Sequence, residues 1–304
     1  MRKTSQRIVV VLCFALLSRT STSALDLGVS FRLENLGFRT DRPADLVTFT
    51  GEDYLWGLSL FGTHTITENF DFETGFYNDN VLRNISYTLF SFRESFLSLG
   101  VGPFFGFFNS MSTVLKSGIS TAVSVGIPGI AFLTFRADST IGGRLIEVGD
   151  YIQERNDVSL GFYIPNAICT FGLLSKKFIQ KQQTEALETL EVVDGLTEYS
   201  FRTDVYQKYM PYTVSAKIAY QNITKSYLQD SELTVHSLNS IVLGTKLEIK
   251  LINFISIFAD LESSIYTFGL EELVGISNSG SFLFRLNTGV LLDFDVFNDP
   301  LKGR

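Results

Sequence analysis

The residues best able to carry covalent or metal chemistry are few and poorly placed for it. His64 and His236 stand alone, and Cys169 is the one thiol after position 24. Nucleophilic hydrolysis needs a serine or cysteine within hydrogen-bond reach of a histidine, with a third group to orient the base. His236-Ser237 comes nearest to that arrangement, but no recognisable motif surrounds it. Two histidines and one cysteine spread along the chain lack the spacing of a zinc site. Asp293, Asp295 and Asp299 gather near the end without the spacing of a calcium loop. No enzyme activity, metal or cofactor is expected.

The second chemistry available is that of fixed charge. Asp71, Glu73, Arg202, Asp204, Lys217, Lys246, Glu248, Lys250, Asp260, Glu262, Arg285, Asp293 and Asp295 each alternate with apolar neighbours. In an extended strand such residues fall on one face. Two readings follow. Both signs could line a water-filled passage and filter ions or small solutes, as rings of side chains do in channels. They could equally pair across strands and satisfy one another inside a closed tube.

The elements that position these charges are strands. Among 304 residues there are 28 Phe and 12 Tyr against 3 Met and 6 Pro, and mean hydropathy is +0.19. Aromatics fit a pleated surface, so this balance favours sheet. A formal charge of −7 argues against a nucleic-acid binder, and two cysteines cannot make a disulfide scaffold. The first 24 residues stand apart. Arg2, Lys3 and Arg7 precede an apolar run from Ile8 to Leu17 and a small, polar stretch ending at Ala24. That is the layout of a secretory signal peptide. Its removal, with four cations and no carboxylate, takes the formal charge to −11.

Beyond residue 24 the period is two. Phe70, Phe72 and Phe76 alternate with Asp71, Glu73 and Gly75, and Ile241, Leu243, Leu247 and Ile249 with Gly244, Lys246, Glu248 and Lys250. Strands are expected at about 25–34, 53–63, 70–79, 82–92, 94–108, 118–127, 130–138, 157–165, 168–179, 198–208, 212–221, 239–251, 253–267 and 280–297. Several exceed the roughly five or six residues of soluble strands and reach the roughly 9–11 needed to cross a bilayer. Fourteen strands are expected, within a range of twelve to sixteen, joined alternately by short turns and long loops. The long loops include 35–52, 139–156, 180–197 and 222–238. Residues 176–193 carry Ile179, Ala186, Leu187, Leu190 and Val193 near helical spacing, which predicts one loop helix. Gly100, Gly102 and Gly106 leave inward space for a bend or a neighbouring segment.

Even strand number, loop asymmetry and an export signal together resemble a bacterial outer-membrane β-barrel protein of the porin-like kind. The last strand strengthens this: Asn287, Gly289, Leu292 and Phe294 resemble the terminal signal read by barrel assembly machinery in that family. The chain is accordingly expected to be all-β, a single antiparallel transmembrane barrel over 25–297, with a short periplasmic tail at 298–304. The resemblance implies outer-membrane lipid around the barrel, insertion by the assembly machinery, and both mature termini in the periplasm. It implies a passive channel for small hydrophilic solutes or ions. Two alternatives stay open: a surface interaction protein that presents its loops to host or neighbouring molecules, and a transporter of apolar substrates using inner residues such as Phe258, Tyr266 and Leu283.

Overall fold

A computed structural model describes residues 25–35, 54–108, 114–141, 145, 148–183, 189–206, 210–229, 232–268 and 283–294. The expected signal peptide, the tail from 298, Asp295 and nearly all of the 35–52 loop lie outside the described residues.

Fourteen strands form one closed antiparallel barrel in sequence order, β1 pairing with β14. They are β1 (Leu25–Glu34), β2 (Leu55–Thr67), β3 (Phe70–Asp79), β4 (Arg83–Glu94), β5 (Leu97–Phe107), β6 (Leu115–Ile127) and β7 (Ala131–Thr140). Then follow β8 (Tyr151–Ile164), β9 (Ala167–Gln183), β10 (Thr189–Tyr206), β11 (Tyr212–Gln229), β12 (Glu232–Ile252), β13 (Ile255–Phe268) and β14 (Phe284–Asp293). Here the near rim is the end where β1 begins and β14 finishes. Two turns at the near rim are tight: Gly129 at φ 74° and Asn166 at φ 60° close the β6–β7 and β8–β9 turns after Pro128 and Pro165.

The outer face follows from the alternation. One cross-strand row runs Phe70, Phe92, Leu99, Val123, Phe135, Val158, Leu173, Tyr199, Tyr220, Ile241 and Tyr266 from β3 to β13. The neighbouring row includes Leu97, Val125, Leu133, Leu160, Phe171, Phe201, Ile218 and Leu243. Most of these side chains are exposed. An apolar exterior this continuous is solvated by hydrocarbon, and closure leaves no strand edge to satisfy there. No helix among the described residues is long and apolar enough to span a membrane; the strands do so instead.

Two expectations need correction. Residues 176–193 hold no helix among the described positions: 176–183 belong to β9 and 189–193 to β10. Likewise, 180–197 and 222–238 are mostly strand, because β9, β10, β11 and β12 run 17, 18, 18 and 21 residues. The reason is that polarity inverts along these strands. Near their far ends the outer positions become polar, as in the row Asn156, Ser175, Thr197, Asn222 and Asn239. The inner positions become apolar, with Leu190, Val192, Leu196, Ile223, Tyr227 and Leu238 buried. A pattern that changes phase defeats a reading by fixed period, and the continuous ladder to both neighbours overrides weak helix propensity.

Between β4 and β5 the register passes from Tyr87↔Phe104 to Phe90↔Val101 without paired positions between. Pro103 lies in that gap and has no N–H to donate.

Candidate functional site

The lumen is where the charges converge, and the β3–β4 turn crosses it. Asp79 ends β3; its Oδ1 accepts hydrogen bonds from the backbone N–H of Val81 and of Leu82, both at 2.8 Å, which shapes the turn as a compact knob. The knob meets the opposite wall. Asp79 pairs with Lys176 of β9, and Arg83 pairs with Asp194 of β10 at 2.8 Å. Gln153 of β8 donates to the Leu82 carbonyl. Val81 shares an apolar cluster with Leu196, Ile223, Leu238 and Leu283. In the ring order β3 and β4 stand about half a circumference from β10 and β11, so these contacts bridge the lumen. Further spokes lie alongside. Arg155 of β8 donates to the Tyr77 hydroxyl at 2.8 Å, and Arg136 of β7 pairs with Glu73 at 3.2 Å while lying 3.8 Å over the Tyr87 ring.

A belt of alternating charge continues from the knob. Asp79, already paired with Lys176, lies 3.8 Å from Arg32; Arg32 reaches Glu34 at 3.1 Å, and Glu34 reaches Arg285 at 2.7 Å. Arg285 pairs with Glu262 at 3.0 Å, and Lys217 sits between Glu262 and Glu198, 2.6 Å from each. Gln221 then donates to Glu198 at 2.5 Å. Gly244 lies in register between Lys217 and Glu262. A side chain there would press on both, so its absence lets the two charges meet. Alternation of sign keeps each largely buried charge compensated, which is the condition for holding ions out of water.

Beside the belt lies a chamber of about 550 Å³, within the roughly 300–1,000 Å³ range of small-molecule sites. Arg155, Asp157, Glu198, Arg202, Lys217, Lys246, Asp260 and Glu262 line it, with Ser159, Thr170, Ser200, Ser215 and Asn287. Arg155 holds Asp157 at 3.0 Å, Arg202 holds Asp204 at 2.6 Å, and Lys246 holds Glu248 at 2.9 Å while lying 5.0 Å over the Phe258 ring.

Of the residues expected to face a lumen, Arg202, Lys217, Lys246, Asp260 and Glu262 line this chamber. Asp204 and Glu248 are ion-paired to two of its cations, and Arg285 sits in the belt. Glu73 joins the Arg136 spoke and accepts from the Tyr87 hydroxyl at 2.6 Å. Asp71 lies apart with Arg93, at 2.6 Å, near the near rim. Lys250 is exposed beside a β-bulge, and Asp293 faces Asp26 across the β1–β14 seam. Of the terminal residues, Asn287 faces the chamber, Gly289 lies under the Phe258 ring, and Leu292 and Phe294 end the seam. Of the inner apolar residues named, Leu283 is buried in the Val81 cluster, whereas Tyr266 is an exposed member of the outer row. Gly106, expected to leave inward space, is where the Gln153 side chain lies.

Arg32, Glu34, Asp79, Arg83, Arg136, Asp138, Arg155, Asp157, Lys176, Asp194 and Glu198 were not anticipated. One signal was available for several. Arg32-x-Glu34, Arg136-x-Asp138 and Arg155-x-Asp157 repeat the cation-x-acid spacing of Arg202-x-Asp204 and Lys246-x-Glu248, and all five are ion-paired. Positions i and i+2 of a strand share a face, and long side chains span the gap.

No protein-family model matches the chain, and no curated protein matches it in sequence. Solved structures align with most of its length. An outer membrane channel from Pseudomonas putida F1 aligns at 8% identity and TM-score 0.45, covering 91% of this chain and 97% of that one. In-vitro folded OmpT, an outer membrane protein of Vibrio cholerae, aligns at 9% and 0.44, covering 91% and 99%. A porin aligns at 9% and 0.43, covering 90% and 100%. These bacterial outer-membrane β-barrel proteins are what the chain is similar to in shape.

Proposed function

We propose that the protein is a non-catalytic channel of the bacterial outer membrane that lets small hydrophilic solutes or ions diffuse through its lumen. The observation that carries this reading is the charged, hydroxyl-lined chamber inside a barrel whose exterior is apolar. Cations and carboxylates in the chamber are matched, so it suits solutes that are neutral overall or carry both charges. A net charge entering would have to compete with an ion pair already made. On the same reading Asn287, Gly289, Leu292 and Phe294 are the assembly signal, and both ends of the mature chain face the periplasm.

Osmotic swelling of proteoliposomes with sugars and amino acids of graded size tests the permeation. Swelling no faster than in protein-free vesicles, even after deletion of residues 80–82, would contradict it. The wall assignment has its own test. Lys246→Glu replaces a chamber cation with a carboxylate beside Glu248, and the expected result is a reversal potential shifted toward cations in a salt gradient. An active Lys246→Glu channel with an unchanged reversal potential would remove Lys246 from the conducting path.

A further inference from the structure

The β3–β4 knob has the features of a moving part. It is internally braced by the Asp79 turn, so it can shift as a unit. Its contacts with the far wall are few and separable: the Lys176–Asp79 and Arg83–Asp194 pairs, the Gln153 hydrogen bond, and Val81 in its apolar cluster. Arg83, at the exit of the turn, has φ 66°, a left-handed conformation that costs a non-glycine residue backbone strain. The Arg83 side chain reaches Asp194 and also lies 4.9 Å over the Phe178 ring. The wall that receives the knob is fixed by continuous ladders from β8 through β12. The knob rides on β3 and β4, ten and twelve residues long and laddered to β2 and β5, but residues 80–82 lie outside those ladders, so the turn is the element able to move.

We propose that the β3–β4 turn, residues 79–83, is the channel's gate: docked on β8–β12 it closes the lumen, and released toward its own wall it opens a path past the chamber. The proposal rests on the channel reading. Arg83 and Asp194 form the latch. Lys225, 3.9 Å from Asp194 on the same wall, places a second cation beside the latch. Lys176 and Arg32 face Asp79 from the two sides. The gate therefore sits in a field of both signs, and a single charge reversal on the knob converts attraction to the wall carboxylate into repulsion.

The test is single-channel recording in planar bilayers of four proteins: wild type, Arg83→Glu, the swap Arg83→Glu with Asp194→Lys, and deletion of residues 80–82. Each is first shown to be folded by its heat-modifiable mobility on a gel. The gate predicts a wild type that is mostly closed and an Arg83→Glu protein with open probability raised at least about tenfold at unchanged unitary conductance. In the swap, open probability falls back toward wild type because the carboxylate introduced on the knob again meets cations on the wall. If Arg83→Glu opens no more often than wild type, the gate is overturned. If only the deletion conducts, the turn is a permanent plug, and the gate is overturned while the channel survives. If no folded protein of the four conducts, the channel reading fails and the gate with it.

Discussion

Replacing Arg285 with leucine is expected to cost about 3 kcal/mol of stability, among the largest effects of any single charge removal in this protein. Arg285 bridges Glu34 at 2.7 Å and Glu262 at 3.0 Å, and both carboxylates are almost fully buried. Each keeps a second cation, Arg32 or Lys217, so the belt is weakened rather than abolished. The surviving partners must then divide among buried carboxylates that no longer alternate with cations. A surface pair gives the contrast. Arg93 contacts Asp71 at 2.6 Å, but its side chain is 65% exposed, so Arg93→Ala is expected to cost less than about 1 kcal/mol. Equilibrium denaturant titration of both variants in lipid vesicles checks the difference. Equal midpoints would mean that the belt contributes no more than a surface contact.

The second large effect is steric. Gly102 of β5 lies so close to β4 that a Cβ would come within 1.9 Å of the Thr88 carbonyl oxygen, a backbone atom that cannot rotate away. This is the stretch where Pro103 interrupts the β4–β5 ladder, and the two strands depend on close contact around Leu89 and Phe104. Gly102→Val is expected to destabilise by about 3 kcal/mol and to slow the gain of the heat-modifiable form on refolding. At Gly172 the nearest atom to an added Cβ is the Ser200 hydroxyl, on a side chain that can turn. Gly172→Ala should therefore stay within about 1 kcal/mol of wild type. A Gly102→Val protein as stable as Gly172→Ala would show that β4 and β5 are not held this closely.

Alternation made the barrel legible. Wherever the outer face is apolar and the inner face polar, strand positions match closely, as at β1 (Leu25–Glu34) and β3 (Phe70–Asp79). It failed where that polarity inverts. Leu190, Val192, Tyr227 and Leu238 point inward above the apolar belt, so β9–β12 look there like loops or a helix although they continue as strands. The chamber was half legible, through Arg202, Lys217, Lys246, Asp260 and Glu262. Its companion Arg155 was hidden because 139–156 reads as a loop, while β8 begins at Tyr151; Asp157 fell at the very start of the expected strand 157–165, where its pairing with Arg155 does not show. The bridge was not legible at all. Asn80 and Val81 read as a short connection before a strand at 82–92, and nothing local says that Arg83 meets Asp194, 111 positions on, across the lumen. Such a pairing is set by barrel closure, not by neighbours in sequence.

The central claim is that the strands cross a bilayer with one face in lipid and the other in the lumen, and β12 tests it most directly. In a protein with Cys13 and Cys169 changed to serine, spin labels placed singly from Val242 to Ile249 in lipid vesicles report collision with oxygen, which concentrates in hydrocarbon. Leu243 and Leu247 are exposed on the outer face, whereas Val242 is fully buried and Gly244 and Lys246 face the lumen. Oxygen accessibility is expected to peak at 243, 245 and 247 and to fall at 242, 244 and 246. Uniform accessibility along the strand, or peaks at the even positions, would contradict it.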